Sequence, residues 1–101
     1  MSVTQMPPVY EEVVLKGTIV FSSSITVSEP KPIGTPLITK DGGESFSIPL
    51  ETEKPNGILC ENLDQSDMAL VLTSGIVKEK NIPGITPQIK IDLFENGIVA
   101  I

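Results

Sequence analysis

From Val13 to Ser28 the chain alternates. Val13, Leu15, Ile19, Phe21, Ile25 and Val27 fall on one face of an extended backbone, and Lys16, Thr18, Ser22, Ser24, Thr26 and Ser28 on the other. Side chains of a β-strand point to opposite faces in turn, so this period of two predicts strand with one face buried and one wet. Gly17 predicts a turn or bulge that divides the stretch into two strands, and Pro30 and Pro32 end the second.

The rest of the chain reads the same way. Residues 33–51, IGTPLITKDGGESFSIPLE, predict a hairpin: a strand around Pro36 to Lys40, an Asp41-Gly42-Gly43 turn suited to positive φ, and a return strand from Ser45 to Leu50. A second turn, EKPNG at 53–57, leads into a short buried strand from Gly57 to Cys60. The acidic loop ENLDQSD then precedes MALVLTSGIV, residues 68–77, the strongest strand signal. Near the C-terminus the punctuation changes to that of a helix, with Thr86 as N-cap, Pro87 at the first position and Asn96-Gly97 as the stop. Ile89 with Leu93 and Lys90 with Phe94 lie four apart, as on a helix face, though Ile91 would suit a strand equally well, and a final strand is expected from Ile98 to Ile101.

A chain of 101 residues can bury roughly 60 to 70% of its unfolded surface and so hold a core without disulfide staples. Hydrophobic residues make up 40% of it but aromatic ones only 4%. That core is therefore built of Val, Ile and Leu, which suit pleated sheet. The fold class expected is mainly β, a β-rich α+β chain: a small sandwich or barrel-like domain over residues 13–101 with one short C-terminal helix. Residues 1–12 are expected to be an extended, flexible arm, because Met6-Pro7-Pro8 holds the backbone open and removes two amide donors.

Thirteen acids against seven bases, all of them lysine, give a net charge of −6. With no basic run to neutralise phosphates, neither nucleic acid nor an anionic membrane is an expected partner. The single Cys60 has no internal disulfide partner and fits a reducing compartment. MSVTQMPPVYEE lacks the basic start and apolar stretch of a secretion signal, so synthesis in the cytoplasm is expected.

The usual chemistry is also missing. There is no histidine to serve as base, and Cys60, between Leu59 and Glu61, reads as a small core residue. Glu11 and Glu12 would point to opposite faces of a strand, while Glu51 with Glu53 and Asp64 with Asp67 read as solvated loop acids. Glu61, Asp64 and Asp67 lack the alternating ligands and central glycine of a calcium loop. Gly42-Gly43 lacks the lysine and the helix start of a phosphate cradle. Tyr10, Phe21, Phe46 and Phe94 are too scattered to stack bases. No enzymatic activity, cofactor, metal or small-molecule substrate is expected.

Four stretches taken in order carry a likeness: GTPLITKDGG (34–43), NGILCENLD (56–64), ALVLTSGIVKEKNI (69–82) and LFENGIVAI (93–101). Their succession resembles the bacteriophage head decoration proteins of the lambda type and their relatives in phages of Gram-positive bacteria. These share a Gly-x-Pro-Leu strand, a Gly-Ile-Leu strand entering an acidic loop, a strand ending in Ser/His-Gly, and a terminal hydrophobic Gly-Ile-x-x-Ile. NIPG (81–84) stands where some members place an aromatic residue, and the N-terminal strands are longer here than in the lambda protein.

The resemblance implies a virion protein, made in the host cytoplasm, that sits on the outer surface of the capsid. It would bind the phage major capsid protein as a homotrimer and cement the expanded head. For capsid binding the expected residues are Val3, Val9, Tyr10, Val13 and Leu15, an edge strand offered to a coat-protein sheet, with packing into the chain's own sheet as the alternative. Trimer contacts are expected at Ile82, Pro83, Ile85, Ile98 and Ile101. The rival reading is a β-rich binding module of a head fibre or tail tip that recognises a host-surface ligand.

Overall fold

The computed structural model describes residues 13–101, less the side chains of residues 20–23. The expected arm, residues 1–12, lies outside the described residues. The chain is mainly β, and the described residues form six strands: β1 (Val14–Thr26), β2 (Pro36–Leu37), β3 (Ser45–Ser47), β4 (Gly57–Leu59), β5 (Asp67–Val77) and β6 (Ile98–Ala100). A 3-10 turn (Glu79–Asn81) and one helix, α1 (Pro87–Glu95), lie between β5 and β6.

The strands form a single sheet in the order β2-β4-β5-β1-β3, with β6 parallel to the far end of β5. Ile38, directly after β2, and Ser47, the last residue of β3, exchange two backbone hydrogen bonds of 2.9 Å each. The two ends of the path therefore meet, and the sheet closes into a small barrel with no edge left at β2 or β3 at this level.

Closure gives the sheet an inside and an outside. Leu37, Phe46, Leu59, Val71, Ala69 and Ile25 form one buried cluster, capped by Leu63. Ile58 and Leu72, next along the same two strands and cross-strand partners of each other, belong to a second cluster. That second core holds Val77, Ile98 and Ala100 from the parallel β5–β6 pair, together with Leu93 of α1 and Ile33 and Ile82 from the loops. Both faces of β4 are thus covered, which is why Gly57, Ile58 and Leu59 are all buried.

Three local expectations give way to tertiary structure. The hairpin over 33–51 survives as a turn and one bridge. Gly42 and Gly43 take φ of 76° and 98°, but β2 pairs with β4, and β3 runs parallel to β1. Gly17 does not divide β1; it faces Gly75 across the ladder, two residues without side chains letting the strands pass close. The single buried face expected for β1 is broken by register shifts at Val14/Lys16, Thr18/Ile19 and Ser22/Ile25. Each extra residue swaps the faces; Leu15, the residue inside the first shift, is 47% exposed, while Val14 beside it is buried.

The helix follows its punctuation. The Thr86 hydroxyl accepts the Ile89 N–H at 3.1 Å, Pro87 opens the helix, and the N–H groups of Asn96 and Gly97 return to the carbonyls of Leu93 and Phe94 at 2.9 and 3.0 Å. Among the described residues no helix is long and apolar enough to cross a membrane.

Candidate functional site

Chemically able side chains are tied into structure. Cys60 is buried, its thiol donating to the Ile58 carbonyl at 3.4 Å. Burial pushes its pKa up to about 11, a Leu72 backbone hydrogen bond opposes the rise, and the charge of Glu61 adds to it. Such a thiol is a poor nucleophile near neutrality. Glu61 accepts the Leu70 N–H at 2.8 Å, and Asn62 accepts the Ile33 N–H at 2.8 Å, so the acidic loop serves to pin its neighbours. Among the described residues no three His, Cys, Asp or Glu side chains gather as metal ligands would.

The Asp41 turn shows the same economy. Its carboxylate accepts from the Ser45 hydroxyl and N–H and from the Thr39 hydroxyl, and these bonds, the Ser45 hydroxyl foremost, lower its pKa to about 2. Glu53 accepts the Leu50 N–H at 2.8 Å and pairs with Lys40, which together lower its pKa, the backbone bond contributing most.

What the surface offers is apolar side chains and an open strand. Beside β1, β3 pairs only with Ser24 to Thr26, so from Val14 to Ser23 the edge turned away from β5 has no strand partner among the described residues. On α1, Ile91 and Phe94 are 52% and 67% exposed, and with Pro87 and Lys90 they line a shallow apolar depression of about 390 Å³. Met68 and Leu70 are exposed on β5, beyond the part of the barrel wall that the second core covers.

Of the expected capsid-binding residues, Val3, Val9 and Tyr10 lie outside the described residues. Val13 is fully buried in the chain's own second core, and Leu15 is exposed beside the open edge. The expected trimer residues split. Ile82 and Ile98 are 3% and 0% exposed and spent on the second core, which corrects their assignment to an apolar surface patch. Pro83 is exposed, Ile85 packs partly against that core, and Ile101 is 65% exposed. Ile91 and Phe94 were absent from the expected contacts; the signal available was a helix with apolar residues on more than one face.

Comparison of the sequence with protein-family models and with curated proteins returns no match.

Proposed function

We propose that this chain is a decoration protein of a bacteriophage head, binding the outer surface of the expanded shell as trimers and holding that state against internal DNA pressure. The observation that carries the proposal is the order and spacing of the four sequence stretches named above. In the fold these supply β2, β4, most of β5, the last residues of α1 and β6, and so most of the second core. The acidic, arginine-free composition favours an outer face over contact with packaged DNA.

The mechanism is linkage. A ligand that binds the expanded shell and not its precursor stabilises the expanded state by mass action, and a trimer touching several coat subunits adds avidity. The open edge of β1, with Leu15 exposed beside it, supports attachment by strand addition: main-chain hydrogen bonds supply affinity and side-chain anchors supply register.

Mixing the protein with undecorated expanded and unexpanded heads of its phage, followed by sedimentation, tests the reading. Capture by expanded heads alone is the expected result. Indifference to both would refute it and favour the fibre or tail-tip module.

A further inference from the structure

An asparagine followed by glycine is the one most open to attack by its own backbone, because the next residue has no side chain to crowd its nitrogen. The chain holds two such pairs, Asn56-Gly57 and Asn96-Gly97, whereas Asn62 and Asn81 precede the branched Leu63 and Ile82. The fold treats the two pairs differently.

Asn56 is stitched to a distant part of the barrel. Its side-chain oxygen accepts the Thr39 N–H at 3.0 Å, its side-chain nitrogen donates to the Thr39 carbonyl at 3.1 Å, and its own N–H reaches the Leu37 carbonyl at 2.9 Å. Gly57 is buried, with the Phe46 ring and Val71 closing the space where a side chain would stand. Bringing the Gly57 nitrogen onto the Asn56 side chain therefore requires β2 to part from β4 and the core around Phe46 to open, which approaches unfolding of the whole barrel.

Asn96 and Gly97 are both exposed. The hydrogen bonds of the groups that would react stay within the end of α1: Asn96 Nδ2 donates to the Asp92 carbonyl at 3.0 Å, and the Gly97 N–H to the Phe94 carbonyl at 3.0 Å. The space beside Gly97 is open, since a side-chain carbon placed there would come no nearer than 3.6 Å to Ser74. Helix ends fray without the rest of the fold, so these bonds open while the barrel stays closed.

We propose that Asn96 is a site of spontaneous deamidation in the folded protein, and that Asn56, in the same dipeptide, is shielded by the barrel. Hydroxide takes the Gly97 amide proton, and the nitrogen attacks Asn96 Cγ. The new N–Cγ bond closes a five-membered imide as the Cγ–Nδ2 bond breaks, ammonia leaving with a proton from water. Water then opens the imide at either carbonyl, giving aspartate or isoaspartate, so the net change is amide plus water to acid plus ammonia. Either product puts a negative charge beside Glu95 at the C-terminal end of α1, where the helix dipole disfavours it. Isoaspartate also adds one backbone carbon directly before β6, whose Ile98 and Ala100 fill the second core in register with Gly75 and Val77. The chemistry stands whatever the chain binds.

Incubation of the full-length protein at mildly alkaline pH, with and without urea, followed by peptide mapping by mass spectrometry, tests it. In the folded protein Asn96 should convert at least about tenfold faster than Asn56, the difference between local and global opening. In urea the two should convert at comparable rates. Asn96→Gln should abolish the main charge variant seen on anion exchange, and the isoaspartyl fraction should unfold at lower urea concentration than fresh protein. Equal conversion of the two asparagines in the folded protein, or no conversion of Asn96 over a period in which urea-unfolded protein converts both, would overturn the site. An unchanged urea midpoint for the isoaspartyl fraction would overturn its effect on β6.

Discussion

Inside the barrel the ring of Phe46 occupies the space that a side chain at Gly57 would need. A Cβ placed there would lie 2.8 Å from the Phe46 ring and 2.9 Å from Val71 Cγ1. Gly57 and Leu59 share the inner face of β4, and the absence of a side chain at the first of them leaves room for the Phe46 ring beside Val71. Gly57→Ala should therefore destabilise the protein by about 1–3 kcal/mol through overpacking, measured by urea unfolding. In a Phe46→Leu background the same change should cost less, because the two sites share one volume. Equal costs in both backgrounds would count against the contact.

The helix start can be tested alone. Thr86→Ala removes the acceptor of the Ile89 N–H and should cost about 1 kcal/mol, whereas Thr86→Ser, which keeps the oxygen, should cost little. The difference between the two in thermal unfolding reads the cap.

Asp41 has a folded pKa near 2 against an ordinary value of 3.8. Its folded pKa is the lower one, so the stability it contributes is present above pH 3.8 and is lost as pH falls from there through about 2. Nuclear magnetic resonance titration should place its midpoint near 2. In Ser45→Ala, which removes the leading hydrogen bond, the midpoint should move up toward the ordinary value.

Cys60 shifts the other way, from 9.0 to about 11. A thiol that ionises more easily unfolded than folded contributes stability below pH 9, and that contribution is lost as pH rises through about 11. At pH 8, alkylation by iodoacetamide should be far slower than for a free cysteine and should accelerate in step with urea unfolding. Fast alkylation of the folded protein would contradict its burial.

Removing residues 1–12 takes away none of the strands that close the barrel. The shortened chain should stay folded but lose capture by expanded heads if the strand offered to the coat protein includes Val3, Val9 and Tyr10. Undiminished capture would refute that route while leaving the head-decoration reading open to the mixing experiment.

Local chemistry made several elements readable in advance. The β-branched run of β5, the buried Gly-Ile-Leu of β4, the Gly42-Gly43 turn and both ends of α1 all follow from interactions within a few residues. The apolar helix surface at Ile91 and Phe94 was harder to see, because exposure depends on which neighbours arrive and period alone cannot report them.

The sequence by itself determined that this chain would be a Val, Ile and Leu sheet with one capped helix, since strand period, turn glycines and caps act over a few bonds. Only the tertiary structure decided that the 33–51 segment would open, sending β2 to β4 and β3 to β1, and that one bridge between Ile38 and Ser47 would close the ring. A strand's pattern states which faces it must bury but not which edge it will join. That choice falls to the barrel as a whole, which must fill its interior around Phe46 while leaving few backbone groups unpaired.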